Sequence, residues 1–258
     1  MTGKKNIQFE AYGDESVSNN AVIFGLVIVQ SELVGESGNI LAAKKESYDV
    51  PKEAELHCKY VFPSSARQNT TWRHLTDEKV FEFSASLVES LKSLGPNFRI
   101  GFLDKREWPK KMPELEWRKK TSSGETRRTG EKSKSFSLKE KQLVIFAAHA
   151  AIGPLEGDPG FERLRLWIDP DKTKTEWFGK KRQANLIKGI YSDISGKPEP
   201  PRIDPEPIEG NKPSLLQVAD LLAYVSSHAL SVETLQNKEQ FLRLYKLFNP
   251  VRMIVSFR

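Results

Sequence analysis

The stretch that decides the fold is residues 7–29, which read IQFEAYGDESVSNNAVIFGLVIV. Ile7, Phe9 and Ala11 alternate with more polar residues, and this period of two predicts a strand that leads into an acidic Asp-Glu-Ser sequence. The run Ala21–Val29 is apolar throughout, which predicts a second strand that is buried on both faces. The two strands are expected to pair as the arms of a hairpin.

Downstream of this hairpin, predicted strands and helices alternate. Phe98–Leu103 predicts a strand that ends at Asp104, and Leu164–Ile168 predicts another that ends at Asp169. Helices are predicted from Thr76 to Leu94, over Leu143–Ile152 behind a Ser137/Glu140 capping box, from Thr173 to about Ile194, over Ser214–Leu230, and near Glu233–Phe248 before a short apolar tail. This order indicates an α/β domain in which helices flank a mixed sheet.

The positive charge is concentrated in one part of the chain. The protein carries a formal charge of +6, and residues 105–141 alone hold 13 Lys/Arg against 6 Glu, a net of +7. Most of that stretch contains Pro, Gly and Ser without a sustained period, so residues 105–137 are interpreted as a long, mobile, basic insertion. Two roles stay open: a solvated connector, or an arm that binds phosphates and stacks bases on Trp108 and Trp117.

Several classes of protein are excluded by composition. The longest apolar stretches fall well short of the ~20 residues that cross a bilayer, and residues 1–10 lack the apolar core of a signal peptide. The single cysteine, Cys58, forms no internal disulfide, which favours a cytoplasmic protein. One Cys and four His do not make up a structural zinc site, and phosphate-loop, dinucleotide and zinc-protease motifs are absent.

Three acids, Asp14, Asp104 and Asp169, are predicted to end apolar strands. Ligands of open α/β sheets bind at the carboxyl ends of strands, so these side chains could converge there. The alternative is that each Asp only forms a turn or caps a helix.

A fourth acid lies in the helix Ser214–Leu230, where apolar residues surround Asp220 almost completely. Gln217, Asp220 and Tyr224 form one narrow polar stripe on this helix, which should otherwise be buried. A buried carboxylate is costly unless it is paired or binds a metal, so Asp220 is expected to have a cationic partner. That partner is a metal ion or a structural arginine, Arg165 or Arg202.

Other candidates lie between the second strand and the Thr76 helix. Glu55 is either a site residue or a solvated one, and His57 could donate a proton to a leaving oxygen or be structural. Glu15 would point away from Asp14 if the first strand continues, so Asp14 is preferred. Clustered carboxylates beside a basic surface are typical of two divalent ions ~4 Å apart that clamp the attacking and leaving oxygens of a phosphodiester.

Four motifs together resemble a known family. They are Asp14-Glu15-Ser16, Glu55-Leu56-His57, Trp167-Ile168-Asp169 and Gln217–Ala223, and they span most of the chain. In this order they resemble the prokaryotic domain-of-unknown-function 3800 family, which is regarded as having a ribonuclease-H-like fold.

The resemblance implies a single ribonuclease-H-like domain over residues 1–258, with the basic insertion inside it. It also implies that Asp14, Glu55, Asp169 and Asp220 form the catalytic and metal-binding set, with Asp104 as an alternative to Asp169. The predicted activity is a Mg²⁺- or Mn²⁺-dependent nuclease acting on DNA or RNA. The alternative is a non-catalytic nucleic-acid-binding or scaffold module with the same fold, and a third reading makes the acids salt-bridged structure.

Overall fold

The structure, a computed structural model, describes residues 9–107, 116–120, 126–132, 140–152, 155, 164–168, 205–207, 213–232 and 237–255. Features of the sequence analysis that lie outside these ranges are Ile7, the predicted stacking residue Trp108, the cap Ser137, the acid Asp169, the helix predicted from Thr173, the arginine Arg202 and the predicted helix start Glu233.

The described core is a mixed six-stranded sheet with the order β7-β6-β1-β2-β3-β8. Its strands are β1 (Phe9–Val17), β2 (Ala21–Gln30), β3 (Asn97–Asp104), β6 (Leu164–Ile168), β7 (Pro205–Pro207) and β8 (Val251–Val255). The first three form an antiparallel meander. On one side of it β6 runs parallel to β1 and β7 parallel to β6, and on the other side β8 runs parallel to β3.

The predicted hairpin forms the centre of this sheet. Every residue of β2 except Gln30 is buried, as expected for a strand covered on both faces. The first strand is longer than predicted, because β1 continues through Val17 in register with Val22. The prediction that Asp14 ends its strand is therefore wrong, whereas Asp104 does end β3 as predicted.

Helices pack on both faces of the sheet. They are α1 (Val34–Glu46), α2 (Cys58–Val61), α3 (Ser64–Arg67), α4 (Asp77–Lys92), α5 (Glu140–Ile152), α6 (Ser214–Leu230) and α7 (Lys238–Phe248). Helix α6 lies on β1 and β2, in one apolar core with α1, α4 and α7. Helix α5 lies on the opposite face, over β2 and β3. The predicted α/β class is thus confirmed.

Side chains of β1 alternate between these two layers. Tyr12 belongs to the core beneath α6, and Ala11 belongs to the core beneath α5. By the same period of two, Asp14 and Ser16 project toward α6. Contact with α6 is close, because a Cβ placed on Gly25 would lie 2.9 Å from the Ala219 carbonyl oxygen.

Helix α4 begins and ends where its sequence predicts. The Thr76 hydroxyl caps the first turn by accepting from the Lys79 backbone N–H at 3.3 Å. After the last turn, Gly95 adopts the left-handed conformation with φ of +62°. The apolar side of α4, including Val80, Phe83 and Leu87, is fully buried.

Other elements differ from the sequence-based expectations. The residues predicted as a basic loop include an antiparallel strand pair, β4 (Glu116–Lys120) and β5 (Thr126–Lys132). The predicted apolar tail is the edge strand β8, and α7 begins five residues later than Glu233. Within the described ranges, none of the helices has the length and apolar character that a bilayer span requires.

Candidate active site at the β1–α6 interface

Asp14 is a buried carboxylate on the face of the sheet that α6 covers. The residue is 7% exposed, and it pairs directly with Gly25 of β2. Opposed residues of antiparallel strands project to the same face with Cα atoms about 5 Å apart. A Cβ on Gly25 would touch backbone atoms of Ala219 and Ala223, so Asp14 projects toward the turn of α6 that contains Asp220.

Asp220 is also 7% exposed, as its apolar surroundings in the sequence predicted. Its Oδ2 atom accepts a hydrogen bond from the Cys58 backbone N–H at 2.9 Å and lies 3.3 Å from His57 Nδ1. Within the described part of the chain, both contacts of the carboxylate go to this one oxygen. The predicted structural partner Arg165 instead forms an ion pair with Glu10, at 3.8 Å.

Two motifs that are distant in sequence therefore meet. Gln217, one turn before Asp220, accepts the Leu56 backbone N–H at 2.9 Å through Oε1. Residues 54, 56 and 58 are buried, whereas residue 55 is exposed and residue 57 is half-buried, an alternation typical of an extended segment. The i, i+3 acceptors of α6 thus bind the backbone N–H groups of residues 56 and 58.

Glu55 and His57 share the outward side of this extended segment. Glu55 is exposed, and its backbone carbonyl accepts from Trp72 Nε1 at 3.1 Å. The His57 ring packs on Tyr60 with centroids 4.8 Å apart and points Nδ1 at Asp220. In the neutral ring, an acceptor at that position favours the tautomer with its proton on Nδ1 and the lone pair on Nε2.

Asp104 belongs to a different part of the sheet. It pairs with Ala21, four residues along β2 from the Gly25 that pairs with Asp14, or about 14 Å at ~3.4 Å per residue. Arg106 binds both of its carboxylate oxygens, and this hydrogen-bonded ion pair lowers the pKa of Asp104. Asp104 is therefore explained by a structural partner.

Glu10 is an acidic residue that the sequence analysis did not single out. Glu10, also on the α6 face of β1, accepts hydrogen bonds from Tyr12 and from Trp167 Nε1, each at 2.8 Å. Cross-strand register explains the cluster, because Glu10 pairs with Arg165 and Tyr12 with Trp167. Burial and the Glu10 carboxylate raise the pKa of Tyr12, so its hydroxyl stays protonated at neutral pH. The signal was present in the sequence as polar residues on one side of two neighbouring strands.

The donor set suits a hard divalent cation in chemistry but is incomplete. Mg²⁺ is bound through one or two carboxylates plus water and substrate phosphate, and Asp14 and Asp220 offer two on one interface. Hydrogen bonds to the non-ligating oxygen, as Cys58 and His57 provide for Asp220, are typical of metal-binding carboxylates. In the portion described, no three His, Cys, Asp or Glu side chains form a metal-binding group. The predicted third strand acid, Asp169, lies outside that portion.

Lys45 is a buried lysine beside this site that the sequence analysis did not single out. It is 2% exposed, and its Nζ donates to Gln217 Oε1 at 3.1 Å and to the Lys52 carbonyl at 3.3 Å. Burial lowers the pKa of Lys45 to about 8, and the nearby Glu55 and Glu53 partly oppose that change. Lys45 lies in the Lys44-Lys45-Glu46 end of a helix of mixed polarity, and such a sequence carries no signal for burial.

We expect the stability of the protein to depend on pH through Lys45. Its pKa is about 8 when folded and 10.5 when unfolded, so between those values the unfolded state binds more protons. The free energy of unfolding then rises with pH, by about 2 kcal/mol from pH 7 to 9.5. Urea denaturation at both pH values should show this gain in the wild type and not in Lys45→Met. Equal gains in the two proteins would contradict the assignment.

No family model, curated protein or solved structure matches this chain.

Proposed function

We propose that this protein is a divalent-metal-dependent nuclease, with Asp14 and Asp220 as metal ligands at the β1–α6 interface. The observation that carries the proposal is the burial of these two carboxylates on the same side of the sheet, although about 200 residues separate them in sequence. A divalent ion bound by two buried carboxylates would offset the cost of their burial and activate water for attack on a phosphodiester.

Asp169 is proposed as the third carboxylate. β6 is parallel to β1, and its last residue, Ile168, pairs with Gly13, the neighbour of Asp14. Asp169 follows Ile168 directly in sequence, at the end of β6 that lies beside Asp14. Glu55 would then bind metal or orient water from the rim.

The proposed fold family is ribonuclease-H-like. Its support is a sheet in which an antiparallel β1-β2-β3 meander is extended beyond β1 by the parallel strands β6 and β7. The first strand and a late helix, α6, then contribute the acids that the family resemblance assigns. One fold can support many different functions, so the proposed activity depends on the carboxylates and not on the fold alone.

The nucleic-acid partner is supported by the strand pair β4–β5. Its register opposes Arg118 to Arg128 and Lys119 to Arg127. Both strands are rich in Lys and Arg, which attract anions. A nucleic-acid backbone supplies such anions in a continuous row. This pair also favours the second candidate function, a module that binds nucleic acid without cleaving it.

The test is metal-dependent cleavage by the purified protein. Labelled single- and double-stranded DNA and RNA are incubated with Mg²⁺ or Mn²⁺, and EDTA is the matched control. We expect shortened products with Mg²⁺ or Mn²⁺ and none with EDTA, because the metal ion activates the attacking water. If no substrate is cut with either metal and all are bound in a salt-dependent manner, the binding module is the correct function.

A further inference from the structure

The segment that carries Glu55 and His57 is attached to the protein by buried side chains. Gln217 Oε1 accepts the Leu56 N–H, Asp220 Oδ2 accepts the Cys58 N–H, and Trp72 Nε1 donates to the Glu55 carbonyl. Backbone groups in this segment therefore have partners from α6 and from the α3–α4 connection. Such bonding fixes where the segment lies without involving the side chains of Glu55 and His57.

Lys45 completes this arrangement. Gln217 Oε1 accepts from Lys45 Nζ and from the Leu56 N–H at once, so the amide oxygen is directed at the segment by two donors. Lys45 Nζ also donates to the Lys52 carbonyl, at the start of the same segment. Buried hydrogen bonds to a charged donor are stronger than those between neutral groups. One lysine thus joins α1, α6 and residues 52–56.

We propose that Lys45 and Gln217 are positioning residues that hold Glu55 and His57 beside Asp220. This inference rests on the proposed nuclease function, because positioning matters only if that rim takes part in the reaction. Among the described residues, Lys45 Nζ bonds to Gln217 Oε1 and the Lys52 carbonyl, and Gln217 Oε1 also accepts the Leu56 N–H. Their effect on catalysis passes through the backbone of residues 52–58.

The first test measures the exchange of the Leu56 amide proton by NMR. In Gln217→Leu the Leu56 N–H loses its acceptor, and we expect its exchange to accelerate at least about tenfold, which is a loss of about 1.4 kcal/mol of local protection. Gln217→Glu retains an acceptor oxygen and should restore the protection. Lys44→Met is the matched control, because Lys44 on the same helix donates to Ser86 instead. Unchanged exchange of the Leu56 amide in Gln217→Leu would show that Gln217 does not hold this segment in place.

The second test measures cleavage by the same variants with Mn²⁺. We expect Lys45→Met and Gln217→Leu to lower kcat about 10- to 100-fold, which is the usual effect of residues that orient metal ligands without binding the metal. KM should stay within about twofold of the wild-type value. Lys44→Met should equal the wild type. Faster Leu56 exchange with unchanged kcat would overturn the positioning role. Absence of cleavage by the wild type would refute the proposed function. Amide exchange would still decide whether Gln217 holds the Leu56 N–H in place.

Discussion

Asp14→Asn and Asp220→Asn are each expected to abolish metal-dependent phosphodiester cleavage while the protein remains folded. Each change removes a charged metal ligand, and we expect kcat to fall at least about 10³-fold, or about 4 kcal/mol of activation free energy. Asn at position 220 can still accept the Cys58 N–H, so the 55–58 segment should stay bound to α6. Mn²⁺ titration followed by electron paramagnetic resonance should show weakened binding in both variants.

Asp104→Asn is the matched control for these substitutions. Asp104 is as buried as Asp14 and lies on the same face, but it binds Arg106 at a different level of the sheet. We expect this variant to retain cleavage and Mn²⁺ affinity. If Asp104→Asn were as inactive as Asp14→Asn, loss of any buried charge would explain the result and the proposed ligand set would be wrong.

Gly101→Ala is expected to give the largest loss of stability of any single methyl addition at the glycines described. A Cβ at Gly101 would lie 1.7 Å from the carbonyl oxygen of Ala147, so α5 must move off the sheet. Both contacting groups are backbone, which leaves no rotamer to relieve the overlap. We expect a loss of about 3 kcal/mol or more, and a fall in Tm of about 6–12 °C. Calorimetry and urea denaturation measure both.

Gly35→Ala tests whether the effect is specific to the sheet–helix contact. Gly35 lies in α1, where a Cβ would meet nothing within 4 Å. Alanine should therefore raise stability by about 0.5–1 kcal/mol, because it restricts the unfolded chain and favours helix. A similar Tm for Gly101→Ala and Gly35→Ala would mean that α5 does not pack on β3 this closely.

Much of the sheet could be predicted because its strands have strong local patterns. The alternation in β1, the unbroken apolar run of β2 and the capped amphipathic helix α4 are each determined by nearby residues. β8 could not be predicted this way, since its half-exposed sequence becomes a strand only through pairing with β3. The β4–β5 pair was not predicted, because the charge and the Gly and Ser content of residues 105–137 favoured a loop.

The candidate site was predictable where burial followed from sequence and was not where partners came from the backbone. Apolar neighbours predicted that Asp220 is buried, and it is. Among described residues, its hydrogen-bond partners are the Cys58 N–H and the His57 ring. Every residue has a backbone N–H, so no residue type signals which one a carboxylate will bind. The position of Asp169 relative to Asp14 stays a prediction.

The contact between β1 and α6 has a consequence for folding during translation. Ser16 and Ser227, whose hydroxyls are 2.9 Å apart, are separated by 211 positions in the chain. At ribosomal speeds of about 5–20 residues per second, the hairpin waits roughly 10–40 s before its covering helix emerges. During that interval the apolar side of β2 is open to water and to other nascent chains. We therefore expect this protein to require chaperone protection during translation, and to be sensitive to any pause upstream of residue 214.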